Sequence, residues 1–125
     1  LLLYSPEADA DEQQLLAHKK KTEGIEIYRS TEAFRTRLAD PARSAKIIIL
    51  ITDRETLSRF SEWVDLLNDR QLILILTDDS ADTIRMAHKL RPRYVSIKGG
   101  NLEDVGNVLE RMILRSKAQD EHIKN

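Results

Sequence analysis

The stretch Lys46-Ile-Ile-Ile-Leu-Ile-Thr-Asp53 decides the fold of this chain. Its five consecutive aliphatic residues lack polar alternation, which is typical of a strand buried on both faces in a parallel sheet covered by helices. A second run, Leu72-Ile-Leu-Ile-Leu-Thr-Asp78, follows after one helix-sized interval and ends in the same two residue types. The two runs predict the central strands of an α/β sheet. Both would bring Thr and Asp to the carboxyl edge, where ligands bind in open α/β sheets.

The rest of the chain alternates strands with helices. Residues 1–4 end a buried strand, whereas residues 25–28 and 94–98 alternate apolar and polar side chains and therefore suit the sheet edges. Helical patterns cover about residues 9–21, 30–40, 54–67, 80–91 and 101–116, with a polar tail from about residue 117. The sequence thus predicts a single α/β domain over residues 1–125. Its five-stranded parallel sheet has the doubly wound, flavodoxin-like order 2-1-3-4-5, with helices on both faces.

The composition excludes several classes of function. The 125 residues are 41% hydrophobic and 33% charged with a net charge of −1, so no global field favours nucleic acid or a membrane surface. The absence of cysteine excludes disulfides, thiol catalysis and thiolate metal sites. No apolar run approaches the length of a membrane span, and no signal peptide is visible. We expect a cytoplasmic globular protein; because it begins at Leu1 rather than Met, the sequence leaves open whether the first strand is trimmed and whether the chain is a piece of a longer protein.

The predicted topology brings polar side chains together at the switch point between the first and third strands. Ser5-Pro6-Glu7 and Thr52-Asp53 would face each other there, with Thr77 and Lys98 on the neighbouring strands. Asp53 could act as a nucleophile that accepts a phosphoryl group, Thr77 could hydrogen-bond a phosphoryl oxygen, and Lys98 could neutralise its charge. The alternative is structural: Asp53 caps the next helix, where Thr52-Asp53-Arg54-Glu55 also forms a Thr-x-x-Glu capping box.

These residues resemble those of the response-regulator receiver domains of two-component signalling. The resemblance spans nearly the whole chain and is strongest from Leu72 through Tyr-Val-Ser-Ile-Lys-Gly-Gly-Asn-Leu-Glu-Asp-Val105. It implies a CheY-like fold, with Asp53 at the place of the phosphorylated aspartate. It also implies that Thr77 and Lys98 hold the places of the Thr or Ser and the Lys that end strands four and five.

The chain also departs from the receiver pattern. Receivers carry adjacent acidic residues after the first strand that hold Mg²⁺, and this place reads Ser5-Pro6, with Glu7 and Asp9 following. Glu7, Asp9 and Asp53 are therefore only weak candidates for a Mg²⁺ site. Without the acidic pair the main charge neutralisation is lost. We therefore interpret the chain as a degenerate receiver, a non-enzymatic module that at most transfers a phosphoryl group to its own Asp53.

The resemblance further implies an interaction surface on the fourth helix, fifth strand and fifth helix. Receivers commonly use this face for homodimers or partners such as a histidine kinase or an output domain. In this chain it carries basic residues and one aromatic residue, Arg85, Lys89, Arg91, Arg93 and Tyr94. Acidic residues on the last helix could meet them across a symmetric dimer.

Three functions remain open at this stage. The first is a receiver-like signalling module that acts through protein–protein interaction without phosphorylation. The second is a working phosphoacceptor receiver, and the third is a small flavodoxin-like domain that binds an anion or nucleotide through Ser5, Thr52 and Thr77. No Gly-rich phosphate loop follows a strand, the histidines lack metal-ligand spacing, and aromatic residues are too few for a nucleic-acid stacking surface.

Overall fold

A computed structural model of the chain describes residues 1–7, 12–13, 25–42, 45–67, 70–97 and 102–124, with only the backbone of 102–103 and 116–124. The strands are β1 (Leu2–Tyr4), β2 (Glu26–Tyr28), β3 (Ile47–Thr52), β4 (Gln71–Leu76) and β5 (Tyr94–Ile97). The helices are α1 (Thr31–Leu38), α2 (Arg54–Ser61), α3 (Val64–Leu67), α4 (Ala81–His88) and α5 (Leu102–Lys124). Of the helix predicted at 9–21, only Glu12 and Gln13 are described, and both are helical.

The five strands form one parallel sheet in the order β2-β1-β3-β4-β5, which confirms the prediction. β3 and β4 pair along their full length, from Ile47 opposite Gln71 to Thr52 opposite Leu76. The two strands with apolar–polar alternation lie at the edges and are only partly buried, whereas every residue of β3 is buried. An uninterrupted aliphatic run therefore corresponds to a central strand, because such a strand is covered on both faces.

Successive residues of each central strand point to opposite layers of helices. Ile48 and Leu50 pack with Phe34, Phe60 and other residues of α1, α2 and α4. The second layer is formed by residues from alternate positions of β3 and β4 together with α5, namely Ile47, Ile49, Ile51, Ile73, Ile75, Val105, Leu109 and Met112. The sheet thus has helices on both faces, as predicted.

The helix predicted over residues 54–67 is instead two helices separated by a tight turn. The Trp63 amide bonds to the carbonyl oxygen of Phe60 at 3.0 Å, three residues back, which winds the chain more tightly than an α-helix. In the sequence Val64 continues the apolar stripe of Leu57 and Phe60, which predicts that it faces the core; the rotation instead leaves Val64 38% exposed, so this prediction is wrong. Trp63 packs inward instead, edge-to-face against Phe60 at a ring separation of 5.3 Å.

Arg70 connects the last turns of α1 and α3 with the segment that precedes β3. Its guanidinium and Nε donate to the carbonyl oxygens of Leu66 at 2.9 Å, Ala45 at 2.8 Å and Leu38 at 3.4 Å. Leu38 and Leu66 lie in the last turns of α1 and α3, where backbone carbonyls have no helical partner. The Arg70 side chain therefore supplies hydrogen-bond donors to carbonyl groups at two helix ends and in the segment before β3.

The last helix is longer than the sequence predicted. Its backbone remains helical to Lys124, through the residues that we predicted to form a polar tail. Since no glycine or proline follows Gly106, nothing in the local sequence stops the helix.

Candidate functional site

The carboxyl ends of β1 and β3 border a cleft of about 240 Å³ at the topological switch point of the sheet. Its lining consists of Ser5, Pro6, Glu7, Ile51, Thr52, Asp53, Thr56 and Thr77. The fold thus brings Glu7, Asp53 and Thr77 to one cleft. Asp9 and Lys98, the other two residues of the expected constellation, lie outside the described residues.

Asp53 is the N-cap of α2. Its backbone is extended, with φ −90° and ψ 179°, and its Oδ1 accepts a hydrogen bond from the Thr56 amide at 2.8 Å. The bond satisfies one of the amides at the helix amino terminus that have no helical partner. One carboxylate oxygen is therefore engaged in holding α2. The capping box predicted from Thr52 does not form, because the cap is one residue later.

The two threonines of the cleft connect neighbouring strand ends. Thr52 is fully buried, and its hydroxyl donates to the carbonyl oxygen of Asp53 at 3.0 Å. The Thr77 amide donates to the carbonyl oxygen of Thr52 at 3.1 Å, which extends the β3–β4 pairing by one bond. The exposed side chain of Thr77 remains at the cleft wall. Thr52 is thus part of the scaffold, whereas Thr77 is accessible to a ligand.

A closed turn occupies the place after β1. The Ser5 amide bonds to the carbonyl oxygen of Tyr28 at 3.0 Å, and the Ser5 hydroxyl donates to the carbonyl oxygen of Glu7 at 2.9 Å. Ser5 is buried, whereas Pro6 and Glu7 are exposed. The turn therefore presents one exposed carboxylate near the cleft instead of an adjacent acidic pair.

A buried ion pair beside this turn was missed by the sequence reasoning. Glu12 is only 3% exposed, and its two carboxylate oxygens accept hydrogen bonds from the two terminal nitrogens of Arg29, one of them at 3.2 Å. Arg29 also donates to the carbonyl oxygen of Ser5 at 3.1 Å. Arg29 thus connects the segment after β1 to the carboxyl end of β2. No sequence signal connects the two residues, because 17 positions separate them.

Tyr4 lies in the aromatic cluster beneath the cleft. Its ring packs edge-to-face on Phe60 at 5.1 Å and on Phe34 at 5.8 Å. Burial raises the pKa of the Tyr4 hydroxyl, the negative charge of Asp53 raises it further, and Arg59 opposes both effects. The hydroxyl therefore remains protonated, and the carboxylate of Asp53 contributes to the potential that it experiences.

The loop after β4 is fixed by a second carboxylate. Asp78 accepts hydrogen bonds from the Ser80 amide at 2.9 Å and from the Thr83 hydroxyl at 3.1 Å, and Thr83 is fully buried. These bonds, those with Ser80 first, lower the pKa of Asp78, and the positive charge of Arg54 adds to the effect. Asp78 therefore organises the amino terminus of α4.

The predicted basic surface is divided between several environments. Arg85 pairs with Asp82 at 3.3 Å on the exposed side of α4, where Lys89 is also exposed. Arg93 lines a pocket against α5, and Tyr94 packs against the apolar cluster beneath that helix. Arg91 is exposed and has φ 53°, in the left-handed region. Tyr94 is thus partly a packing residue, whereas the four cations are accessible.

Neither a metal-binding cluster nor a membrane-spanning helix is found among the residues that the structure describes. Among these residues, no three His, Cys, Asp or Glu side chains lie close enough together to hold a metal ion. No helix there is both long and apolar enough to cross a membrane.

Comparisons with known proteins identify the fold. No protein-family model matches the sequence, and no curated protein sequence matches it. Solved structures do match: a CheY-like response regulator from Mesorhizobium loti has a TM-score of 0.63 at 14% identity, covering 85% of this chain and 91% of its own. The Mn²⁺-bound response regulator Rcp1 has a TM-score of 0.63 at 18% identity, covering 89% of both chains.

A third similar structure is a response regulator from Burkholderia pseudomallei that carries a phosphorylated aspartic acid, a calcium ion and citrate. Its TM-score is 0.61 at 18% identity, over 99% of this chain and 73% of its own. All three share the overall architecture at low sequence identity. The chain therefore has the CheY-like fold of response-regulator receiver domains.

Proposed function

We propose that this chain is a receiver-like signalling module that acts through protein–protein contacts and does not require phosphorylation of Asp53. The observation that carries the proposal is the use of the Asp53 carboxylate as the cap of α2, with Oδ1 bonded to the Thr56 amide at 2.8 Å. A phosphoacceptor must present a carboxylate oxygen to the donor. Here one of the two oxygens already stabilises a helix.

The charge of the cleft supports the same proposal. A phosphoryl group brings up to about two negative charges, which need cations or hydrogen-bond donors to offset them. The residues that line the cleft include the carboxylates of Glu7 and Asp53, and the described lining has neither lysine nor arginine. Two arginines near the cleft are engaged elsewhere: Arg29 is bound to Glu12 and to the Ser5 carbonyl, and Arg54 pairs with Asp82 at 3.9 Å. The cleft therefore lacks compensation for a phosphoryl dianion within the described residues.

The described residues also fit Mg²⁺ poorly. Receiver metal sites depend on adjacent carboxylates after the first strand, and this position holds a buried hydroxyl that closes a turn onto the Glu7 carbonyl. Mg²⁺ demands nearly octahedral oxygen ligands and is usually held by one or two carboxylates with waters. Among the described residues, only Glu7 and Asp53 offer carboxylates at the cleft. The proposed function therefore does not depend on a metal ion.

Contacts of the module would lie on the surface of α4, β5 and α5. Its partner would be a histidine kinase, an output domain or a second copy of the chain. Exposed cations lie on α4 and in the turn that leads to β5, at Arg85, Lys89, Arg91 and Arg93, and α5 carries the exposed Asp104. Because this surface carries both signs of charge, the basic residues of one copy can face the acidic residues of a second copy in a symmetric dimer.

A second candidate is a working phosphoacceptor receiver. It is favoured by the shared cleft of Asp53, Thr77 and Glu7, which lie together at the end of the sheet. The similar structures include one with a phosphorylated aspartic acid and one with bound Mn²⁺. In this candidate Asp53 would be phosphorylated, Thr77 would bond a phosphoryl oxygen, and Glu7 or Asp9 would join Asp53 at Mg²⁺.

Incubation with acetyl phosphate and Mg²⁺, followed by intact-mass measurement, separates the two candidates. We expect no added phosphoryl mass in the folded protein. An added mass that disappears in Asp53→Asn would overturn the proposal and establish the phosphoacceptor. The third function, anion or nucleotide binding at the cleft, would instead show as saturable binding that persists in Asp53→Asn and does not depend on Mg²⁺.

A further inference from the structure

A small pocket lies at the amino edge of the sheet, opposite the edge that carries Asp53. It has a volume of about 150 Å³ and lies between α5 and the amino ends of β4 and β5. Its lining is Gln71, Arg93, Val108, Arg111, Met112 and Arg115. Val108 and Met112 form its apolar part, and three arginines and one amide are the polar side chains among its described lining residues.

The three arginines come from two separate parts of the chain. Arg111 and Arg115 are four residues apart on α5 and therefore lie on the same side of the helix. Arg93 lies just before β5, and its amide bonds to the carbonyl oxygen of Leu72 at 2.7 Å, which fixes its backbone beside β4. Three arginines from two parts of the chain thus line the same pocket.

None of the three arginines has a salt bridge or a side-chain hydrogen bond with another residue, as far as the chain is described. Arg37 and Arg70, by contrast, are engaged: Arg37 binds Glu26, and Arg70 binds three backbone carbonyls. Like charges four residues apart on a helix repel each other. The folded chain therefore keeps unfavourable positive charge at this pocket, and a bound anion would relieve it.

The size and charge of the pocket define the class of ligand. Small-molecule sites usually exceed about 300 Å³, so this pocket accommodates a single anionic group while the rest of the ligand lies outside. A carboxylate has two oxygens and is matched by one bidentate guanidinium. Three arginines are better matched by a phosphate ester, which has about two negative charges and three terminal oxygens.

We propose that Arg93, Arg111 and Arg115 form a binding site for a phosphate monoester group. The site does not include Asp53, which lies at the opposite edge of the sheet. The phosphate belongs either to a small phosphorylated molecule or to a phosphorylated side chain of a partner protein. Recognition is the same in both cases, because the arginines contact only the phosphate oxygens.

The test is an NMR titration of the whole chain with inorganic phosphate, at an ionic strength held constant with sodium chloride. We expect saturable shifts in the amides around residues 71, 93 and 108–115. The variant carrying Arg93→Gln, Arg111→Gln and Arg115→Gln should bind at least about tenfold more weakly, since each charge-assisted bond contributes to affinity. A matched variant with Arg35→Gln, Arg54→Gln and Arg59→Gln loses the same charge on α1 and α2 and should bind normally.

Unchanged phosphate binding in the pocket variant would overturn the proposal, as would shifts that sodium chloride alone reproduces. Single substitutions of each arginine serve if the triple variant does not fold, and each should weaken binding. Glycerol phosphate and a phosphoserine peptide then identify the source of the phosphate, by which of them binds more tightly than inorganic phosphate. Equal binding of all three would mean that the phosphate group alone is recognised.

Discussion

Arg29 and Glu12 form a two-point ion pair that joins the end of β2 to the segment after β1. The Glu12 carboxylate is almost wholly buried, and the Arg29 side chain is 46% exposed. A buried carboxylate is costly unless cations and hydrogen bonds compensate it. Through its bond to the Ser5 carbonyl, Arg29 also holds the turn at Ser5-Pro6-Glu7 in place. That turn forms one wall of the cleft at Asp53.

Replacing Arg29 tests this pair. Arg29→Met removes both hydrogen bonds to Glu12 and the bond to the Ser5 carbonyl, while it keeps the aliphatic stem. We expect the free energy of unfolding to fall by about 2 kcal/mol, less than for a fully buried pair because Arg29 is half exposed. Urea denaturation followed by circular dichroism measures the change.

The double variant Glu12→Gln with Arg29→Met is the control. Once the carboxylate is neutral, the loss of its cation is less costly, so the two substitutions should destabilise by less than the sum of their separate effects. Strict additivity would mean that the two side chains do not stabilise each other.

The cap at Asp53 predicts different effects for two substitutions. Asp53→Ala removes the bond to the Thr56 amide and should lower the free energy of unfolding by about 1 kcal/mol, whereas Asp53→Asn should change it little because Asn caps equally well. The same urea measurement applies. Ser58→Ala, at an exposed position of the same helix, is the control and should not destabilise. A stability increase in Asp53→Ala would contradict the cap.

Asp78 predicts a dependence of stability on pH. Its pKa in the folded chain lies below the ordinary value of 3.8, because the charged form accepts hydrogen bonds from Ser80 and Thr83. A depressed folded-state pKa adds stability above the ordinary value, which is lost as pH falls through the folded value. The wild-type advantage over Asp78→Asn should therefore be present at neutral pH and shrink below about pH 4.

Unfolding at a series of pH values measures this advantage. Asp79→Asn removes the same charge from the next residue, which is exposed and makes no side-chain hydrogen bond within the described chain. The free energy of unfolding of the Asp79→Asn variant should change with pH in the same way as that of the wild type. An advantage over Asp78→Asn that grows toward low pH would contradict the assigned role.

The central strands could be predicted because their residues are determined locally. An aliphatic run with no polar position suits only a strand covered on both faces, and the alternating strands suit only the edges. The division of residues 54–67 into α2 and α3 could not be predicted from the apolar pattern of the sequence. Val64 continues the helical stripe in sequence, but the tight turn at Trp63 rotates it outward so that the larger indole packs on Phe60.

The site was predictable where it depends on strand ends and not where it depends on long-range pairing. Asp53 and Thr77 follow directly from the ends of β3 and β4, and the structure brings them to one cleft. The bonds from Arg29 to Glu12 and from Arg70 to Leu38 and Ala45 join residues far apart in sequence. Charged residues are frequent in this chain, so composition alone does not select these partners.

Arg91 predicts an unusual order of stability among its variants. Its φ of 53° lies in the left-handed region, which glycine adopts freely and a β-branched residue adopts only with strain. Arg91→Val should therefore lower the free energy of unfolding by about 1–2 kcal/mol, whereas Arg91→Gly should leave it unchanged or raise it slightly. Thermal unfolding checks the order, and a valine variant as stable as the glycine variant would contradict it.

The proposed contact surface predicts the effect of reversing its charge. If the chain associates with itself through α4, β5 and α5, then Arg91→Glu with Arg93→Glu should weaken association, because exposed cations there would meet acidic groups of the second copy. Sedimentation velocity over a range of concentrations measures it. Arg54→Glu with Arg59→Glu changes the charge equally on α2 and should leave association intact. An unchanged sedimentation profile for the Arg91 and Arg93 variant would exclude this surface as the site of self-association and direct the search to a different partner.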